Sequence, residues 1–143
     1  MALPAERMKM RTEQIVPLVP QAREVLDAMH PLTGRCPYLF PNSRHAHLPL
    51  SENSIGYLLN RAGYHHKHVP HGFRAAFSSV MNERHPSDQD AIETCLAHSV
   101  PGTRGAYMRA NFLARRRELL SEWAELLFAR MPAAETLISG PRR

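Results

Sequence analysis

Apolar residues that recur with the period of an α-helix constrain the fold of this chain more than any other feature of its sequence. The clearest series starts near His71, and its members share one helical face: Phe73, Ala76, Phe77, Val80 and Met81. Series with the same spacing follow Gln21, Ser51, Ser87 and Leu113. Because the side chains of a β-strand alternate with a period of two, this pattern predicts a mainly α chain.

Polar residues that favour helix starts stand ahead of two of these series. Ser51 is expected to cap a helix whose buried face includes Ile55 and Leu58. Ser87, followed three residues later by Asp90, predicts a capping-box start for another helix. Both signals place a side-chain oxygen where the first backbone N–H groups of a helix need acceptors.

A small β-hairpin is predicted at the front of the chain. Extended pieces around Leu3–Arg7 and Gln14–Leu18 flank a charged bend, and the prolines near the second piece favour an edge strand. A chain of 143 residues is long enough for one domain with a real core, so residues 1–131 are expected to form a single domain. The remainder, residues 132–143, contains two prolines and a glycine and is expected to be a poorly ordered tail.

The positive charge of the chain comes almost entirely from arginine. The formal net charge is +5, and only Lys9 and Lys67 among the 18 basic residues are lysines. Arginine suits a polyanionic partner, because its guanidinium group binds phosphate through two donors at once. It keeps its proton near neutral pH, so a general acid has to be a lysine, histidine or tyrosine. The run Arg115–Arg117 has the charge to follow DNA phosphates, but it is expected on the solvent face of the last helix. In the connector of residues 65–68, a solvated loop is expected for His65, His66 and His68.

The cysteines and the apolar segments of the sequence indicate the cellular compartment that we expect for the protein. Its two cysteines, Cys36 and Cys95, lack the paired spacing of a zinc site or a disulfide framework. No signal peptide is recognisable, and no apolar run approaches the length of a membrane span. We therefore expect a soluble, intracellular chain that has no membrane partner and holds no metal.

Four polar residues stand in an order that suits phosphoryl transfer. At 100° per residue, His71 and Arg74 fall outside the apolar face of their helix, where both can face a ligand. His98 is expected to end a later helix, and Tyr107 follows it by nine residues. Cleavage of DNA without a metal needs a nucleophile that stays attached, cationic donors for the phosphoryl oxygens and an acid for the leaving group. Each residue alone is most commonly structural, but their joint order favours a catalytic site.

This constellation resembles the catalytic domain of the tyrosine recombinases, the phage-integrase family. The resemblance covers the chain from Leu3 to about Phe128 and is closest to the integrases of phages and genomic islands. Its fold is therefore expected to be mainly α with a small N-terminal β-hairpin. The residues that carry the resemblance are Lys9 in the hairpin, the pair His71 and Arg74, His98 after Leu-Ala, and Tyr107.

The resemblance implies a role for each of these residues. Tyr107 would attack the scissile phosphate and form a 3′-phosphotyrosyl link, while Arg74 and His98 hold the phosphoryl oxygens. Lys9 would protonate the leaving 5′ hydroxyl, although a lysine at a hairpin tip is also a common solvated residue. Because a free tyrosine has a pKa near 10, it needs a base, and His71 is the natural candidate. The protein link conserves the bond energy, so no cofactor is expected, neither ATP nor a metal.

The resemblance also implies the partners, which are double-stranded DNA and other recombinase protomers assembled on it in the cytoplasm. The basic residues expected to bind the DNA are Arg7, Arg11, Lys67, Arg104 and Arg109. The family commonly carries a further catalytic arginine in a segment of the kind Thr-Gly-x-Arg-x-x-Glu, and the printed sequence begins after the place where it belongs. Two functions therefore stay open for the chain: site-specific recombination of mobile DNA, or a non-cleaving DNA-binding or protein-interaction remnant of a recombinase.

Overall fold

The computed structural model describes residues 1–8, 11–98 and 112–139. In chain order, its regular elements are β1 (Ala2–Leu3), β2 (Gln14–Ile15), α1 (Pro20–Thr33), α2 (Ser54–Leu59), α3 (Gly72–Arg84), α4 (Gln89–Cys95), α5 (Leu113–Phe128) and α6 (Ala134–Ser139). Helices dominate and β1 pairs antiparallel with β2, so the predicted mainly α chain with a small N-terminal β-hairpin is confirmed. The described residues fall into two compact units, Met1–Pro20 with Arg74–Ala129 and Gln21–Phe73 with Arg130–Arg143.

The core of the first unit is built from α3, α4 and α5. Its buried side chains are Phe77, Met81, Ala91, Ile92, Leu96 and Leu119. Trp123 packs against this cluster, and its ring meets Phe77 edge-on with 5.6 Å between ring centroids. The apolar faces predicted for α3 and α4 therefore supply the core. Phe73 is an exception, because it is 47% exposed in the first turn of α3.

The N-terminal hairpin is shorter than its sequence pattern indicates. β1 and β2 contribute two residues each, with Ala2 opposite Ile15. The residues after β1 form a 3₁₀ turn, Ala5–Arg7, instead of continuing the strand. Pro4 ends β1, because proline has no N–H group to add to the strand ladder. The side chain of Gln14 then fastens β2 to α4, since its Nε2 donates to the backbone carbonyl of Thr94 at 2.8 Å.

Arg116 is a buried cation of the first unit. It is 2% exposed, and its Nη2 donates to the backbone carbonyl of Ile15 at 2.6 Å, which joins α5 to β2. Beside it, burial raises the pKa of the Cys95 thiol, with Arg116 acting in the opposite direction. The expected solvent face for Arg115–Arg117 is therefore wrong at its middle residue. The physical reason is helical phase, because Arg116 shares the face of Leu119.

Replacing Arg116 with alanine is expected to destabilise the chain. The change leaves a cavity and removes the donor to the Ile15 carbonyl, so we expect the free energy of unfolding to fall by about 2–3 kcal/mol. The measurement is urea denaturation followed by far-UV circular dichroism. Arg117→Ala is the matched control, because Arg117 is exposed and its loss should change stability by less than about 0.5 kcal/mol. Equal losses in the two variants would contradict the buried role of Arg116.

The start of α4 differs from the predicted capping box. The helix begins at Gln89 after the 3₁₀ turn Pro86–Asp88, so Ser87 lies inside that turn. Asp88 holds the position before the helix, and its Oδ2 accepts from Arg115 Nη2 at 2.7 Å instead of from the backbone of α4. The helix start is therefore held by an ion pair to α5. A capping-box motif gives no information about a partner on another helix, such as Arg115 on α5.

Two carboxylates near this start make stability depend on pH. The hydrogen bond from Arg115 holds the pKa of Asp88 below its usual range, and His85 and then Arg84 do the same for the pKa of Glu122. Because each folded pKa lies below the unfolded one, the stabilisation is complete above the ordinary values near pH 4 and is lost as pH falls through the folded values. We expect the urea concentration at the midpoint of unfolding to decrease as the pH is lowered below about 4. The decrease should be less steep in the double variant Asp88→Asn/Glu122→Gln. An identical pH slope in the double variant would contradict this assignment.

In the second unit, α2 starts later and is less covered than its sequence predicts. It begins at Ser54, and Ser51 accepts the N–H of Ser54 through its backbone carbonyl at 2.9 Å, one turn ahead of the helix. Ile55 and Leu58 are 52% and 59% exposed, so the expectation that they are buried is wrong. Helical periodicity identifies which side chains share a face, but it does not tell whether another element covers that face.

His68 departs from the solvated loop predicted for residues 65–68. Its ring meets Phe73 edge-on, with 4.4 Å between ring centroids. A Cβ atom on Gly72 would come within 2.8 Å of His68 Cε1, so any larger residue at this position would displace the ring from the start of α3. His65 and His66 are exposed, as predicted. The expectation is therefore wrong for His68 alone.

The C-terminal region contains a helix where a poorly ordered tail was expected for residues 132–143. Helix α6 starts at Ala134, whose backbone N–H donates to Glu24 Oε1 on α1 at 2.9 Å. This contact satisfies one of the N–H groups that a helix start leaves open. Across the described residues, the helices lack the combination of length and apolar character that a membrane span requires.

Candidate active site

One strip of α3 carries polar side chains beside the buried core. Arg74 and Ser78 stand four residues apart, and Asn82 continues the strip with its Nδ2 donating to the Ser78 carbonyl at 2.8 Å. Phe77 and Met81, one residue before Ser78 and Asn82, are buried. The helical phase predicted for Arg74, outside the apolar face, therefore agrees with its exposed position.

The end of α4 turns the chain so that His98 folds back over its own helix. Ala97 adopts a left-handed conformation with φ 53°, a region that costs a residue with a Cβ about 1 kcal/mol or more. The N–H of Ala97 donates to the Thr94 carbonyl and that of His98 to the Glu93 carbonyl, each at 3.1 Å. These two bonds form a Schellman end, which normally uses glycine in the place of Ala97. The turn ends the helix before His98, at Cys95.

The imidazole ring of His98 lies between a carboxylate and a guanidinium group. His98 Nδ1 is 2.6 Å from Glu93 Oε2, and His98 Nε2 is 3.1 Å from Arg74 Nη2. Arg74 Nη2 also donates to the backbone carbonyl of Leu96. The side chains of His98 and Glu93 are 49% and 31% exposed, so the cluster opens to solvent. The structure thus brings together two of the predicted catalytic residues, Arg74 and His98, from α3 and from the end of α4.

This cluster has the chemistry of an anion-binding site. A guanidinium group has five N–H donors, and the contacts of Arg74 to Leu96 and His98 both use Nη2, so they orient the group while other donors remain for a ligand. Hydrogen bonds from a charged donor to a phosphate oxygen are stronger than those between neutral groups. His98 supplies a second donor when its ring is protonated. Within the described part of the chain, no three histidine, cysteine or carboxylate side chains come together to hold a metal.

The other predicted site residues divide into those that the structure describes and those that it does not. Lys9, Arg104, Tyr107 and Arg109 lie outside the described residues. His71 is exposed and belongs to the second unit, where it directly precedes α3. The remaining basic residues predicted to bind DNA are also exposed, and they are Arg7, Arg11 and Lys67.

Glu93 is the site residue that the sequence interpretation missed. It lies in the last turn of α4, five residues before His98, a separation that does not bring two side chains together on a continuous helix. The contact exists because the chain reverses at Ala97. The sequence signal for this contact is weak, because the geometry requires a residue in the left-handed region after Leu96. Glycine at that position would indicate such a conformation, whereas alanine does not.

The chain is similar to known proteins along most of its length. The model of the phage integrase family matches residues 1–113. Prophage integrase IntZ of Escherichia coli K12 is 38% identical to the chain over 125 residues, and the match covers 87% of the chain and 31% of that protein. The integrase of Shigella phage Sf6 is 36% identical over 125 residues, covering 86% of the chain and 32% of the relative.

The integrase of Enterobacteria phage P4 shows the same pattern, with 36% identity over 124 residues that cover 84% of the chain and 28% of the relative. The chain thus spans about a third of the length of the curated relatives that it matches. No solved structure matches it significantly. The family match covers most of the chain, and so the chain belongs to the phage integrase family of tyrosine recombinases.

Proposed function

We propose that the chain is the catalytic part of a site-specific recombinase that cuts and rejoins double-stranded DNA through a 3′-phosphotyrosyl intermediate. The observation that carries this proposal is the contact between Arg74 and His98, which brings a guanidinium group and an imidazole ring together in one solvent-open cluster. Such donors suit the negative charge that builds up on a phosphoryl group in its transition state. The relatives named as integrases of phages and prophages support the same function.

The proposed reaction balances without a cofactor. The Tyr107 hydroxyl attacks the scissile phosphorus and gives its proton to His71, forming the P–O bond of the phosphotyrosyl link. The bond to the 5′ oxygen breaks, and Lys9 protonates that leaving group. Arg74 and His98 hold the phosphoryl oxygens throughout. A 5′ hydroxyl from the partner strand then attacks the link, releases Tyr107 and restores the DNA backbone.

The proposal extends to the surroundings of the reaction. Arg7, Arg11, Lys67, Arg104 and Arg109 are proposed to bind DNA phosphates, since arginine and lysine supply the salt-dependent part of such binding. Residues 1–131 are proposed to serve as one partial catalytic domain, next to other protomers of the same recombinase on the DNA. The proposed setting is the cytoplasm.

A trapping experiment tests this function. The chain is incubated with a pool of duplexes that have random sequence and carry nicks, so that a short 5′ fragment diffuses away after cleavage and leaves the covalent adduct. We expect complexes that survive SDS and that link the protein to a 3′ DNA end. DNA binding that weakens with salt and leaves no SDS-resistant complex would instead support the non-cleaving alternative.

A further inference from the structure

We infer that Glu93 is a positioning residue, which holds the His98 imidazole in one tautomer and turns its Nε2 toward the site where the phosphoryl group binds. This inference rests on the proposed function and adds a residue to it. Glu93 reaches His98 twice, because its Oε2 lies 2.6 Å from the ring Nδ1 and its carbonyl accepts the backbone N–H of His98 at 3.1 Å. Its other carboxylate oxygen, Oε1, lies 3.5 Å from Ser78 Oγ on α3.

The position of Glu93 is not explained by helix stability. It lies in the last turn of α4, where the partial negative charge of the helix end disfavours an acidic side chain. An ion pair with a protonated His98, or a hydrogen bond from a neutral one, offsets this cost. The left-handed Ala97, itself unfavourable, is what brings the ring within reach. Two locally unfavourable features thus converge on one contact, which is typical of a functional site.

The contact determines which ring nitrogen carries the proton. A carboxylate accepts hydrogen bonds and does not donate them, so the His98 Nδ1 beside Glu93 must carry the hydrogen. In the neutral ring, Nε2 then has the lone pair and accepts from Arg74 Nη2, at 3.1 Å. When the ring gains a proton at Nε2, that nitrogen can no longer accept from Arg74, and the two groups then offer donors to a shared acceptor such as a phosphoryl oxygen. The Glu93 carboxylate stabilises the resulting imidazolium through Nδ1, so the ring keeps the same orientation in both protonation states.

The first test reads the tautomer directly and needs no DNA. The full chain is labelled with ¹⁵N, and the ring nitrogens of His98 are observed by NMR at alkaline pH, where imidazole groups are neutral; His98→Gln identifies the signals. We expect the Nδ1–H tautomer in the wild type and its loss in Glu93→Ala, whereas Glu83→Gln on the exposed side of α3 leaves it unchanged. The same tautomer distribution in wild type and Glu93→Ala would overturn the inference.

The second test uses the trapping reaction and separates this inference from the proposed function. We expect Glu93→Gln to slow adduct formation by about 10- to 100-fold, as is usual when the carboxylate that orients a functional histidine is removed. Glu83→Gln should retain the wild-type rate. A wild-type rate in Glu93→Gln would overturn the role of Glu93, whereas failure of the proposed function would appear in the wild-type chain itself, as a lack of adduct.

Discussion

Replacing Tyr107 with phenylalanine is expected to abolish the covalent adduct with nicked DNA. Phenylalanine keeps the aromatic ring but has no hydroxyl group, so no phosphotyrosyl bond can form. Noncovalent DNA binding should persist with the same salt dependence, because that binding comes from the basic residues. The measurement is the fraction of labelled DNA that remains with the protein in SDS, together with a filter-binding curve at several salt concentrations.

Tyr64→Phe is the matched control for this variant, because it makes the same chemical change at an exposed tyrosine of the second unit. We expect Tyr64→Phe to form the adduct at the wild-type rate. An adduct that persists in Tyr107→Phe would identify another nucleophile and contradict the role assigned to Tyr107. Loss of the adduct in both variants would mean that the effect is not specific to the nucleophile.

Replacing Arg74 with alanine is expected to slow adduct formation by about 10²- to 10³-fold, the usual cost of removing one preorganised donor from a transition state. The change removes a guanidinium group and also the donors that now bind the Leu96 carbonyl and His98 Nε2. Arg74→Lys should recover only part of the rate, because an ammonium group keeps the charge but not the forked geometry. Single-turnover rates of adduct formation measure both effects.

Arg84 provides a control on the same helix, since it pairs with Glu122 at 2.9 Å and is not part of the Arg74 cluster. Arg84→Ala should leave the rate of adduct formation near that of the wild type. If Arg84→Ala slows the reaction as much as Arg74→Ala does, the loss reflects the charge of α3 in general. Full recovery by Arg74→Lys would likewise contradict a role that depends on guanidinium geometry.

Much of the fold follows from periodicity, which records how side chains share a face. The spacing of Phe77 and Met81 predicts the buried side of α3 and, by the same geometry, leaves Arg74 outside it. The signal fails where burial depends on a distant partner. Arg116 has the phase of a core residue, but its charge favours a solvent position until the Ile15 carbonyl is known to lie beside it.

The candidate site was predictable in its residue types and only partly in its geometry. Arg74 and His98 are recognisable from their order in the sequence, and the structure brings them to within 3.1 Å. Glu93 was missed because its contact depends on the left-handed Ala97, which sequence spacing does not reveal. Similarly, the capping box predicted from Ser87 and Asp90 does not show that Asp88, at the start of α4, binds Arg115, which lies 27 residues away in the chain.

The central proposal is that this chain transfers a DNA strand onto Tyr107, with Arg74 and His98 as donors to the phosphoryl group. Its most direct test is mass spectrometry of the SDS-resistant adduct after digestion with nuclease and trypsin. Trypsin cuts after Arg104 and Arg109, so the short peptide between them contains Tyr107. We predict that this peptide carries the added mass of a 3′-linked nucleotide on its tyrosine. A nucleotide found on any other peptide of the chain would contradict the account.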